Sequence, residues 1–324
     1  VCPDGVVVAL NHPAAGDTIL VLRALGLGDL LTAVPALRGL RRAYPDAHIV
    51  LATPERFCGL VKLIGAVDAV EPTPGLGRLH PLRTPPALAV NLHGSGPEST
   101  RDLLAVNPRS ILTHRHDAFP GLQGPAWKAD THEVDRWCGL LEWAGIPCDS
   151  SDLTISRPHG HPDRTGVVVI HPGAAFPARR WPPERFSAVA AALHAEGHEV
   201  VITGDAGELD LARAVASGAG LPAGAVLAGT VGLLGMIALI SDCRLLICGD
   251  TGIGHIATAT GAPSVLLFGP TPPSRWGPRG SGPHVALWAG SEGDPHGGQP
   301  DPGLLALTET DVLDAVGTLL RERV

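Results

Sequence analysis

Residues 245–270 read LLICGDTGIGHIATATGAPSVLLFGP. Leu245 to Cys248 is an apolar run of buried-strand length. Gly249-Asp250-Thr251-Gly252 breaks it with residues that turn sharply or cap a helix. Ile253 to Thr260 fits a short helix, and Ser264 to Phe268 a second strand before Gly269-Pro270. A helix that starts at the carboxyl end of a parallel strand aims its N–H groups and positive dipole end at what lies beyond the sheet. That place suits a diphosphate. Asp250 then accepts from a sugar hydroxyl while Thr251 and the turn amides donate to phosphate, with His255 one helical turn further on. The same spacing equally describes an ordinary turn, with Asp250 as a cap and His255 as a hydrogen-bonded helix residue.

Working outward, strands and helices alternate along the whole chain. Strands are expected at Asp17–Leu22, His48–Leu51, Val67–Val70, Leu88–Leu92 and Ser110–Thr113, with helices at Leu30–Tyr44, Glu55–Ile64, Glu98–Ala105 and His132–Ala144. The second half repeats the pattern. Strands are expected at Gly166–His171, Glu199–Thr203, Ala225–Leu227 and Val285–Trp288, besides the two above. Helices start at Pro183, Glu208 and Leu233, and a last one runs from Thr310 to Glu322. The stretch after Pro270 reads as a proline-rich loop, and 290–303 as flexible. Such alternation predicts parallel sheets covered by helices on both faces. Residues 145–163 turn polar and proline-broken, which sets a boundary between domains 1–150 and 151–324, with a cleft between them as the expected ligand site.

Composition narrows the function. A length of 324 residues predicts about two domains. The net charge of −8 argues against a general nucleic-acid binder. Six cysteines without any C-x-x-C pair read as small core residues in a reducing cytoplasm, so a cytoplasmic protein is expected. No apolar run is long enough for a membrane span, and VCPDGVVVALNHPAAG reads as an extension rather than a signal peptide. No metal-ligand spacing, nucleophile elbow or Walker loop is present in the sequence.

Several residues carry candidate chemistry. Gly26-Leu27-Gly28-Asp29 begins like a dinucleotide fingerprint but has Leu31 at the third glycine position, which weakens a nicotinamide reading. Asp29 at the mouth of that turn either takes a proton from an acceptor hydroxyl or caps the helix. Arg179 and Arg180, ahead of Trp181-Pro182, either stabilise charge on a departing diphosphate or form a solvated pair. Glu208 and Asp250 have capping alternatives, and His93 and His171 read equally as satisfied core-edge histidines.

Three blocks together, LVLRALGLGDLLTAVPAL (20–37), HPGAAFPARRWPPERF (171–186) and CGDTGIGHIATATGAPSVLLFGPTPPSRWGP (248–278), resemble glycosyltransferase family 9, the ADP-heptose–dependent heptosyltransferases and their relatives. The resemblance implies a GT-B fold: two Rossmann-like, doubly wound parallel-sheet α/β domains facing across a cleft. It implies an N-terminal domain that binds the acceptor and carries the catalytic base, and a C-terminal domain that binds the nucleotide sugar. It further implies an inverting transfer that requires no metal and no resident cofactor. The partners implied are a nucleotide-sugar donor, ADP-linked by resemblance, and a glycan or small-molecule acceptor. Asp29 falls on the family's base, with Gly28 beside it. Asp250, Thr251, Gly252 and His255 fall on donor contacts, and Gly204 and Glu208 on the nucleotide side. Arg179 stands where the family usually has lysine, and Ala175 where Ser or Thr is frequent. His93-Gly94 stands where the family carries Q-G or H-G near the acceptor. A sugar-nucleotide epimerase or hydrolase on the same scaffold, or a non-catalytic nucleotide-sugar-binding module, is the competing reading.

Overall fold

The computed structural model describes residues 13–280 and 282–321. The extension read at the start of the chain lies outside the described residues up to position 12, and so does Glu322 at the end of the last helix. The chain divides between Leu153 and Thr154 into two compact units.

The first unit holds a five-stranded sheet of β1 (Thr18–Leu22), β2 (His48–Thr53), β3 (Ala69–Pro72), β4 (Leu88–Asn91) and β5 (Ser110–Leu112). Its order is β3-β2-β1-β4-β5, every pair parallel. Ile19 to Leu22 are fully buried, as a strand covered on both faces requires. Pro72, which has no N–H to donate, ends an edge strand.

The second unit repeats the scheme with β6 (Val168–His171), β7 (Val200–Ile202), β8 (Leu245–Gly249), β9 (Ser264–Phe268) and β10 (His284–Trp288), ordered β10-β9-β8-β6-β7 and again parallel throughout. Its core joins Ile170, Ile202, Ile247 and Leu267 to Trp181, Phe186 and Val312 from the covering segments. In each sheet the first strand lies inside. The chain winds outward on one side of it, then returns to its other flank. The reversal leaves a crevice at the carboxyl ends of β1 and β4, and another at those of β6 and β8.

Local chemistry moved some boundaries. The expected helix over 30–44 is two helices, Leu27–Thr32 and Val34–Ala43, meeting at Ala33. Pro35 has no N–H to return to Leu31, so the first helix cannot run through it. The expected strand at 225–227 is a correction too. Ala223–Ala225 takes a 3-10 turn closed by the Ala225 N–H on the Pro222 carbonyl, and only Val226 bridges to Ile202. The proline-rich loop contains a short helix, Pro273–Trp276. The 290–303 segment is tied down instead of hanging loose. Ala178 donates to the Gly297 carbonyl, Asp301 donates back to the Ala178 carbonyl, and the His296 ring meets Phe176 edge-on. Cysteines 138 and 148, scattered in sequence, come together with their sulfurs 2.6 Å apart.

Ile247 is fully buried in a central strand, so Ile247→Ala should cost about 2–5 kcal/mol in urea unfolding. Leu305→Ala, at a side chain 37% exposed, should cost less than about 0.5 kcal/mol in the same measurement.

Candidate functional site

Both crevices gather candidate residues, one set in each unit. In the first, Arg23 follows the last residue of β1, and its guanidinium is removed from water and spread over several acceptors. Nε donates to the Asp29 carbonyl at 2.8 Å and Nη1 to the Leu92 carbonyl. Nη2 reaches Glu133 Oε1 at 3.0 Å, Thr32 Oγ1 at 3.3 Å and Asp29 Oδ1 at 3.4 Å. Because the helix starts at Leu27, Asp29 lies in its first turn and is not the N-cap. Its Oδ2 accepts from the Gly26 N–H at 3.0 Å, and 27% of its side chain stays exposed. Gly28 precedes it in the same turn.

Asn91 ends β4 and is locked by donating to Ser99, Thr100 and Thr113. It accepts from the His93 N–H, and His93 Nδ1 in turn accepts from the Ala24 N–H at 3.2 Å. That bond leaves Nε2 to carry the ring proton. Burial, reinforced by the Arg23 charge, pushes His93 down to about 4, so it is neutral near pH 7. Gly94 follows, half-buried. Asp29, Gly28, His93 and Gly94 thus share the ends of β1 and β4.

In the second unit the loop after β6 brings Arg179 to the turn after β8, where Nη1 donates to the Asp250 carbonyl at 3.4 Å. Its guanidinium also lies 5.6 Å from the Phe176 ring, and its buried Nε has no hydrogen-bond partner among the described residues. Thr251 is the N-cap of the helix Gly252–Thr260, accepting from the Ile253 N–H at 3.2 Å. His255 meets the Trp276 ring at 5.9 Å. These residues line a recess of about 10 Å³ with Asp250, Thr251 and Pro278.

Glu208 stands beyond the end of β7. Its carboxylate accepts from the Asp205 N–H at 2.9 Å, while Asp205 accepts from the Glu208 N–H at 3.0 Å. It also approaches His171 Nε2 at 3.9 Å. Two glycines make its seat. A Cβ on Gly173 would fall 2.0 Å from Glu208 Oε1, and one on Gly204 3.0 Å from Glu208 Cβ. Beside Glu208 opens a groove of about 660 Å³, lined by Leu209, Ala216, Val226, Ala228 and Thr230. Among the described residues no group of three or more His, Cys, Asp or Glu is arranged to hold a metal ion, and no helix is long and apolar enough to cross a membrane.

The family model described as "Glycosyltransferase family 9 (heptosyltransferase)" matches residues 125–292, more than half of the chain. The chain belongs to glycosyltransferase family 9. Lipopolysaccharide heptosyltransferase 3 of Escherichia coli is 38% identical over 168 residues, which is 49% of this chain and 49% of that relative. The match therefore spans about half the relative's length. Among solved structures, the glycosyl transferase family 9 protein of Veillonella parvula DSM 2008 superposes with a TM-score of 0.79 at 23% identity, covering 96% of this chain and 99% of that one. The E. coli ADP-heptose lps heptosyltransferase II gives 0.75 at 21%, covering 94% and 99%. At such identities these two speak for the fold, which is GT-B.

Reading this family 9 chain from sequence alone missed Glu133, Trp276 and Gly173. Glu133 opens the helix Glu133–Trp143 and is reached by Arg23, which is far away in sequence. Only Gly173, in a histidine-proline-glycine turn after a strand, carried a local signal.

Burial pushes His93, His114 and His171 each down to about 4. An unfolded histidine titrates near 6.5. Between these values the unfolded chain binds up to about one more proton per histidine, so stability is full above about pH 6.5 and falls as pH drops toward 4. The urea midpoint should decline over that window, and His171→Gln should flatten the decline. An unaltered slope would show that His171 is not held neutral.

Proposed function

We propose that this chain is an inverting, metal-independent glycosyltransferase that moves heptose from ADP-heptose to a hydroxyl of a glycan or natural-product acceptor. Family membership supports the transfer, and the E. coli relative solved as an ADP-heptose lps heptosyltransferase supports the donor. The observation that carries the reading is the meeting of Arg179 with the Asp250 turn at the mouth of a capped helix. A guanidinium with an unused buried N–H beside a helix N-terminus is a ready diphosphate site. The groove beside Glu208 has the volume and apolar lining that a nucleobase takes.

In this reading the second unit binds the donor through Arg179, Thr251, Gly252 and His255. Asp250 and Glu208 accept from sugar and ribose hydroxyls, with Gly204 leaving room for Glu208. The first unit binds the acceptor near His93 and Gly94. Asp29 takes the proton of the acceptor hydroxyl as its oxygen bonds to the anomeric carbon. The bond from that carbon to the diphosphate breaks on the opposite side, and its electron pair leaves on the nucleoside diphosphate. A single displacement inverts the carbon. Arg179 and the helix N-terminus stabilise the leaving charge, the part a metal plays elsewhere. Arginine in place of lysine offers two parallel donors rather than a point charge. The chain's net charge of −8 favours an acceptor with few phosphates, and six cysteines without any C-x-x-C pair support a reducing, cytoplasmic setting.

Asp29→Asn should lower turnover of ADP-heptose by about 10²–10⁴-fold while donor affinity by calorimetry stays unchanged. An active variant rejects Asp29 as the base. Arg179→Ala should weaken ADP binding about tenfold or more, the worth of a charge-assisted hydrogen bond; equal affinity would remove its phosphate role. EDTA should leave turnover intact, and a loss restored by a divalent cation would overturn the metal-independent reading.

A further inference from the structure

We infer that Glu133 is a positioning residue for Asp29: it takes up the charge of buried Arg23 and so leaves the Asp29 carboxylate able to accept a proton. The inference rests on the reading of Asp29 as the base.

Arg23 sits out of water with a full positive charge. Paired with Asp29 alone, it would stabilise the anion and make a poor base of it. The distances show which carboxylate holds it. Glu133 Oε1 lies 3.0 Å from Nη2, within the usual range, about 2.7–3.2 Å, of an N–H···O bond, whereas Asp29 Oδ1 lies 3.4 Å away, outside it. Glu133 is also the better screened from water, its side chain 9% exposed against 27% for Asp29, so its attraction is the stronger.

Glu133 is itself fixed from the helix it opens. Oε2 accepts from Arg136 Nε at 2.9 Å and Oε1 from Trp137 Nε1 at 3.0 Å. The Trp137 ring lies 4.8 Å from the Arg23 guanidinium. Two titratable neighbours complete the surroundings. His93, from the end of β4, is neutral near pH 7. Arg136 shares Glu133 with Arg23 through the other carboxylate oxygen and also donates to the carbonyls of Lys128 and Thr131. Asp29 is thus the half-buried, loosely paired carboxylate of the cluster, and Glu133 the buried, tightly paired one.

The test is the pH dependence of kcat. Glu133→Gln keeps the shape and one acceptor oxygen but removes the charge. It should lower kcat about 10- to 100-fold with donor affinity unchanged, and move the acid limb of the profile to lower pH. Glu133→Asp, which keeps the charge but draws it back, should move the limb less and in the same direction, and is read alone if the glutamine variant does not fold. Arg136→Gln removes a cation from the same cluster, with its bond to Glu133 Oε2 and its carbonyl contacts. It should lower the melting temperature without moving the limb to lower pH, because losing a cation cannot favour the Asp29 anion. A Glu133 variant whose limb stays at the wild-type position overturns the inference, as does an equal shift in Arg136→Gln. An active Asp29→Asn overturns the base assignment together with the inference; an inactive one beside an unmoved Glu133 limb overturns the inference alone.

Discussion

A parallel sheet whose first strand lies inside has to send its chain outward on one side and then bring it back to the other. At that reversal neighbouring loops depart in opposite directions, and no covering helix fills the space between them. Both units of this chain are built that way, with β1 and β6 as the inner first strands. Backbone N–H groups and helix starts therefore collect at the carboxyl ends of β1 and β4, and of β6 and β8. Side chains placed just past those ends, Asp29 and His93 in one unit and Arg179 and Asp250 in the other, come together as a consequence of strand order.

The two crevices handle charge differently. In the first, the guanidiniums of Arg23 and Arg136 have carboxylate and carbonyl partners, because a cation with little access to water is costly unless paired and hydrogen-bonded. In the second, Arg179 is left with a buried N–H that no described group satisfies, and its contact with the Asp250 carbonyl is long. A compensated cluster is suited to presenting one carboxylate of fixed orientation. An incompletely satisfied guanidinium beside a helix start is suited to receiving an anion. The loop holding Arg179 is braced by 290–303, which ties this late segment to the second crevice.

Most of the architecture was legible in the sequence. Strands such as Ile19–Leu22 and Leu245–Cys248 are unbroken apolar runs, the helices follow with a different period, and Gly, Pro and Asp mark the turns between them. The misses have local causes. Pro35 cut a helix that the apolar spacing would have carried through, and a 3-10 turn took the residues expected to form a strand at 225–227. Within the candidate site, the residues that ride on short motifs, Asp29, Arg179 and Asp250-Thr251, could be picked out from the sequence. The stretch 114–127 joins the helix expected at 132–144 in an aromatic and ionic cluster of His114, Trp127, Arg136 and Trp137, which no local spacing announced.

By itself, the sequence determined the parallel α/β class, the turns that carry the candidate chemistry and the family to which they belong. These depend on residues near one another in the chain, where periodicity and turn chemistry act. Only the tertiary structure decided that Arg23 belongs to Glu133 more than to Asp29, that Gly173 makes the seat of Glu208, and that Trp276 stands against His255. Those pairings join residues distant in sequence through burial and short-range electrostatics, and neither force leaves a mark on local spacing.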